Sequence, residues 1–86
     1  MMTDAQGLLD ELAEAAERLG AAVQRQPMGG DGGGLARIKQ RWVVFIDTQG
    51  DPAEQIQKIA DQMPELGDLE TVYLSPALRG MLGDGT

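Results

Sequence analysis

The sequence contains neither cysteine nor histidine. Without thiolates or imidazoles it can form no disulfide, no zinc site of the common Cys/His types and no catalytic centre built on those side chains. Small secreted domains usually depend on disulfides, so their absence favours a reducing compartment, and we expect a cytoplasmic protein. These absences predict a chain that is not an enzyme and that needs no cofactor.

Aromatic residues and long apolar runs are also scarce. There is one residue each of Trp, Phe and Tyr, so the core must be built from aliphatic side chains. No apolar segment approaches the roughly 20 residues that a membrane helix requires. The length of 86 residues and the 42% of hydrophobic residues are typical of one globular domain, which we expect to span residues 1–86.

The charge is strongly acidic but unevenly distributed. The net charge of −7 opposes docking of the whole molecule on nucleic acid or on an anionic membrane. The middle of the chain is basic, and its cationic residues are Arg18, Arg25, Arg37, Lys39 and Arg41. We therefore expect the partner to be a second copy of the chain or another protein, and neither nucleic acid nor a membrane.

Hydrophobic periodicity predicts a helix at each end of a group of strands. Residues 4–19 place Leu8, Leu12 and Leu19 on one helical face. A second helix begins after Asp51, with Pro52 at its first position. Ser75 and Pro76 predict the start of a short closing helix.

Three segments between the two helices have strand character. They are residues 21–28, 35–39 and 42–46, with a tight turn at 40–41 and a possible fourth strand at 72–74. The sequence thus predicts an α+β domain with a small three- to four-stranded, mainly antiparallel sheet and two helices. The expected order is helix, three strands, helix, an optional strand and a short helix.

The segment 42–46 is apolar throughout, which is typical of a central strand. Two helices can cover one face of a small sheet and leave little chain for the other, so one face should remain for association. The predicted interaction surface is Trp42, Val44 and Ile46 with Arg37, Lys39 and Arg41. The alternation leaves open whether the uncovered face instead carries Val43 and Phe45. The leading hypothesis is a non-catalytic interaction or self-associating domain.

A glycine-rich loop at residues 29–34 suggests an alternative function. Consecutive backbone amides can form a concave site for an anion, and the candidate residues are Gly29, Gly30, Gly32, Gly33 and Gly34. A nucleotide-binding P-loop continues with Lys-Ser/Thr and a helix, whereas Leu35 and Ala36 open a strand here. A flexible connection is therefore the simpler interpretation, and an anion- or nucleotide-responsive domain is the alternative.

Residues 43–47 (Val-Val-Phe-Ile-Asp) and 51–56 (Asp-Pro-Ala-Glu-Gln-Ile) together resemble part of the ImmA/IrrE-type metallopeptidase core. In that family a similar strand leads into a Pro-Glu-Gln helix start and then the zinc motif His-Glu-x-x-His. Residues 61–65, Asp-Gln-Met-Pro-Glu, stand at the place of the motif. The resemblance implies a scaffold without zinc ligands or a catalytic base. An inactive peptide-binding scaffold, with a cleft near Asp61 and Glu65, is a further alternative.

Overall fold

The computed structural model describes residues 4–68 and 71–82. Its elements are, in chain order, α1 (Ala5–Arg18), β1 (Ala22–Gln26), β2 (Gly34–Ile38), β3 (Arg41–Asp47), α2 (Pro52–Gln62), a 3₁₀ turn (Met63–Glu65) and α3 (Pro76–Met81). The α+β class is confirmed. In the described residues the sheet has three strands of mixed orientation, so the expectation of a mainly antiparallel sheet is wrong.

The helices begin at side chains that accept backbone N–H groups. Asp4, Asp51 and Ser75 are the N-caps of α1, α2 and α3, which satisfies amides that have no partner within the helix. The predicted starts after Asp51 and at Ser75 are confirmed. Helix α2 ends at Gln62 and tightens into the 3₁₀ turn, because Pro64 has no N–H to continue the α-helical ladder.

The strand order in the sheet is β1-β3-β2. β3 is central, parallel to β1 and antiparallel to β2. The parallel pair arises because the chain crosses from β1 to the far edge through residues 27–33 instead of turning directly back. The turn between β2 and β3 falls at Lys39 and Gln40, with φ of 51° and 68°, one residue before the predicted position. These angles are those of a two-residue type I′ hairpin.

The segment 72–74 forms no strand. Leu74 is only 3% exposed and belongs to the core cluster, so this segment contributes by packing and not by pairing. The possible fourth strand is therefore absent from the described part of the chain.

Helices α1 and α2 pack on one face of the sheet. On that face Val44 is 0% and Ile46 is 2% exposed, and both join Leu35 in the core cluster. Their neighbours Val43 and Phe45 point the other way and do not belong to that cluster. Within residues 4–68 and 71–82, no helix has the length and apolarity needed to cross a membrane.

We call the side of the sheet that faces away from the helices the open face. Its residues follow from the strand register: Ala22, Gln24 and Gln26 on β1, Gly34, Ala36 and Ile38 on β2, and Arg41, Val43, Phe45 and the buried Asp47 on β3.

Candidate functional site

The carboxylate of Asp47, at the end of β3, organises the glycine-rich loop. It accepts N–H groups from Met28 (2.8 Å), Gly30 (2.7 Å), Gly32 (2.9 Å) and Gln49 (2.9 Å). The residue is 1% exposed. Four amides therefore converge on one buried charge, which attaches the loop of five glycines and one aspartate to the end of β3.

Two opposing effects set the pKa of Asp47. Burial raises it and is the largest single influence, but the hydrogen bonds from Gln49, Gly32, Met28 and Gly30 together lower it further than burial raises it. The pKa of this carboxyl thus lies below the ordinary aspartate value, because all four donors stabilise the charged form. Asp47 is accordingly ionised at neutral pH despite its burial.

Two glutamines on α2 each hydrogen-bond to both backbone groups of one strand residue, as a neighbouring strand would. Gln55 is 3% exposed; its Oε1 accepts the N–H of Asp47 at 2.7 Å and its Nε2 donates to the carbonyl of Asp47 at 2.9 Å. Gln62 makes the same pair of contacts with Leu35, at 2.8 and 3.4 Å. Because the two glutamines are seven residues apart, they share one face of α2. They tie that helix to the end of β3 and to the outer edge of β2.

These contacts change the interpretation of the predicted anion-binding loop. The loop binds an anion, but the anion is Asp47 of the same chain. Gly29 donates to Oε1 of Gln49 at 2.9 Å, and Gly30 and Gly32 donate to Asp47. An external phosphate would have to displace a buried carboxylate that already has its hydrogen bonds.

The remaining loop glycines meet α2 and not solvent. A Cβ on Gly33 would lie 2.6 Å from Oε1 of Gln55, and one on Gly34 would lie 3.2 Å from Oε1 of Gln62. Both residues have positive φ, 99° and 138°, where side chains are strained. These two glycines allow the loop to approach the two glutamines.

The predicted interaction surface is divided between the two sides of the sheet. Val44 and Ile46 are buried under the helices, so the expectation that they form a free surface is wrong. Trp42 lies on the same side, partly buried against the core. The guanidinium of Arg37 sits 5.5 Å from the centre of its ring, a cation–π contact that leaves less of the indole for a partner.

The other two basic residues of that predicted surface lie at the end of the hairpin. Lys39 is in the turn, Arg41 is on the open face, and both are exposed. The sheet register separates Arg41 from Arg37 and Trp42, because successive residues of a strand point to opposite faces. The hairpin therefore provides no single basic patch beside an aromatic ring.

A cleft of about 420 Å³ lies between the glycine-rich loop and the first turns of α2. Its lining includes Asp31, Asp51, Glu54 and Lys58. The ammonium of Lys58 is 3.4 and 3.3 Å from the carbonyls of Asp31 and Gly32. No group of three or more carboxylates in the described residues is arranged to hold a metal ion.

Asp61 and Glu65 mark the place of the expected cleft. Both residues are exposed, and they line neither the cleft described above nor the smaller ones beside Phe45 and Tyr73. In comparisons with known proteins, no family profile, curated protein or solved structure matches the chain.

Proposed function

We propose that the chain is a protein-interaction domain that self-associates by pairing the open faces of two copies. Support comes first from the apolar side chains on this face. Ile38 is 46% exposed, and Phe45 is half-buried beside the small residues Gly34 and Ala36. Met28, 39% exposed, borders the same cavity as Phe45. Val43, between Ile38 and Phe45 on this face, is 6% exposed. Exposed apolar side chains grouped on one side of a domain often mark a contact site.

The single observation that carries the proposal is the charge of the open face. Arg41 is its only exposed charged residue, because Asp47, which alternation places on the same side, is 1% exposed beneath the glycine-rich loop. The chain as a whole has a net charge of −7. The acidic residues of α1 and α2 lie in the opposite layer, and they are Asp10, Glu11, Glu14, Glu17, Glu54 and Asp61. Two copies stacked sheet to sheet would keep both acidic layers on the outside, where solvent screens them.

The size of the open face sets the strength of the association. Three strands about 4.8 Å apart and about six residues long, at 3.3 Å per residue, cover roughly 14 by 20 Å. A standard stable interface buries roughly 800 Å² on each partner, which is more than this sheet offers without its loops. We therefore propose a weak dimer that depends on concentration. The proposal assigns no catalytic residue and no cofactor.

The test is the solution mass as a function of concentration, by light scattering and sedimentation, from roughly 10 µM to 1 mM, where small interfaces dissociate. The mass of the wild type should rise toward that of a dimer. Ile38→Glu, which places a charge on the open face next to the hairpin, should remain monomeric throughout.

Tyr73→Glu provides the matched control. Tyr73 is also a large exposed apolar side chain, 71% exposed, but it lies beside α1 and not on the open face. This variant should associate like the wild type. A wild type that stays monomeric at the highest concentration would refute self-association, and equal effects of both substitutions would show that the open face is not the contact.

A further inference from the structure

One hydrogen bond shows which backbone N–H and C=O groups of β1 point toward β3 and which point away from it. Thr48 donates its N–H to the carbonyl of Gln26 at 3.1 Å, and Gln26 is paired with Asp47 in the parallel register. Gln26 therefore bonds toward β3. Since alternate residues of a strand bond to opposite sides, Val23 and Arg25 direct their N–H and C=O groups to the outer edge of the sheet.

Nothing in residues 4–68 and 71–82 pairs with this outer edge. None of the side-chain hydrogen bonds made there reaches the backbone of Val23 or Arg25, and the principal packing neighbours of β1 are β3 and α1. The edge of β2 differs, because the side chain of Gln62 hydrogen-bonds to both the N–H and the C=O of Leu35. Unpaired strand edges recruit further strands, and of the two edges that of β1 is the more open.

An acidic flank of α1 runs beside this edge. We use that name for Asp10, Glu14 and Glu17, which lie four and three residues apart and so share one side of the helix. Asp10 is 3.5 Å from the guanidinium of Arg25, with both side chains about half exposed, which places this end of the flank next to β1. Glu14 also borders the cavity beside Tyr73. Glu14 and Glu17 are exposed.

The flank and the strand have matching lengths. α1 and β1 are joined by a tight turn at 19–21 and run in opposite directions. The seven residue steps of helix from Asp10 to Glu17 rise roughly 10 Å, and the three residue steps of strand from Ala22 to Arg25 also span roughly 10 Å. With Asp10 beside Arg25, the flank extends from there over a distance close to the length of β1.

We infer that the outer edge of β1 binds an extended polypeptide segment that carries lysine or arginine at every second position. The segment adds as a fourth strand by bonding to the exposed backbone groups of Val23 and Arg25. Every second side chain of an added strand lies on the helix side of the sheet. A basic residue at those positions meets the acidic flank, and the intervening side chains lie beside Gln24 and Gln26.

A second copy of this chain fits this edge less well than a basic extended segment does. Antiparallel pairing of β1 with β1 of another copy would bring two acidic flanks to the same side of the joined sheet, and like charges at short range oppose association. The edge and the open face are thus separate surfaces with different occupants. The inference does not depend on self-association.

The probe is a labelled peptide of about eight residues, long enough to span an average strand, with Lys alternating with Thr or Val. Fluorescence anisotropy with Ile38→Glu protein keeps self-association out of the measurement. Two control peptides carry the test: one has Glu in place of each Lys, and one has methylated backbone amides on the bonding edge. The Lys peptide should bind. The methylated peptide should bind at least roughly tenfold more weakly, because it loses hydrogen bonds at the strand edge. The Glu peptide should also bind more weakly, because its like charges meet the acidic flank.

Two variants at one position separate the backbone from the side chain. Arg25→Pro removes the outward N–H without touching a bond to β3, and it should abolish binding. Arg25→Ala removes the same charge and the ion pair but keeps the N–H, so it should bind at least as well as the parent. Glu14→Gln with Glu17→Gln should weaken binding severalfold and flatten its salt dependence.

Chemical-shift mapping supports the test if Arg25→Pro fails to fold. The Lys peptide should shift the amides of Val23 and Arg25, and the methylated peptide should not. Absence of binding, equal binding of the Glu peptide, or shifts confined to the open face would each overturn the inference. None of these outcomes bears on the concentration-dependent mass that tests the open face.

Discussion

Gln55 pairs through both atoms of its side-chain amide with the backbone of Asp47, at 2.7 and 2.9 Å, while the carboxylate of Asp47 holds the glycine-rich loop. Helix α2, strand β3 and the loop are thus joined at one buried residue. The stability of this junction can be separated into a charge, a neutral amide pair and the glycines that allow close approach.

The charge of Asp47 predicts a particular dependence of stability on pH. Its pKa in the folded state is lowered, relative to about 3.9 in an unfolded chain. The contribution of Asp47 is therefore complete above the unfolded value and is lost as pH falls through the lower folded value. Asp47→Asn should be less stable than the wild type at neutral pH, because an amide nitrogen would face N–H donors.

Urea unfolding at a series of pH values checks this prediction. The difference in unfolding free energy between the wild type and Asp47→Asn should be constant near neutrality and shrink below about pH 4, near the unfolded pKa. Asp31→Asn, in the same loop but exposed, is the matched control and should stay close to the wild type. A difference that is independent of pH would mean that the charge of Asp47 does not stabilise the loop.

The amide pair predicts a large loss from Gln55→Ala. This change leaves the N–H and C=O of Asp47 without partners in a site where Gln55 is 3% exposed. A buried group left unsatisfied costs roughly 1–3 kcal/mol, so the two together should make Gln55→Ala one of the most damaging substitutions on α2. Asp61→Ala, on the exposed side of that helix, should change the unfolding free energy by less than about 0.5 kcal/mol. Similar losses in both variants would contradict a specific role for Gln55.

Two glycines should respond to alanine in opposite directions. Gly33→Ala puts a Cβ 2.6 Å from Gln55 Oε1 at a φ of 99°, and strain of this kind costs roughly 1–3 kcal/mol. Gly80 lies inside α3, where an added Cβ would have nothing within 4 Å, so Gly80→Ala should stabilise by about 0.5–1 kcal/mol. Thermal unfolding of the two variants measures both signs. A neutral Gly33→Ala would show that the loop does not need its close approach to α2.

Local patterns in the sequence predicted the helices and the central strand well. The N-caps at Asp51 and Ser75 are short-range features, and the apolar segment of β3 differs from its surroundings. In β2, the register places Ala36 and Ile38 on one face, as the alternation of a strand requires. Alternation shows only that every second residue of a strand shares a face, however, and not which face is buried. Whether Val44 or Val43 faces the helices is decided by which side α1 and α2 occupy.

The features that the sequence did not predict depend on distant or unusual contacts. Asp47 binds amides 15 to 19 residues earlier in the chain. The only sequence feature that could have pointed to this role is its position directly after an apolar strand. The hairpin turn was placed one residue late because Lys39 and Gln40 adopt positive φ, which usually selects glycine or asparagine. The parallel pairing of β1 and β3 could not be read from a loop that permits either connection.

Glu11 of α1 binds Ser75, the residue at which α3 begins. Its carboxylate accepts the N–H of Ser75 at 2.5 Å and the hydroxyl of Ser75 at 2.7 Å, and the same hydroxyl caps α3 by accepting the N–H of Leu78 at 3.3 Å. Hydrogen bonds to a charged group contribute roughly 1.5–3 kcal/mol. Glu11→Ala should therefore lower the unfolding free energy by about that amount, and faster amide exchange at Leu78 should show that α3 opens first. Glu14→Ala removes an exposed carboxylate from the next turn of α1 and should leave the exchange of Leu78 unchanged. If both variants exchange alike, α3 is held by the packing of Leu78, which is 0% exposed, and not by Glu11.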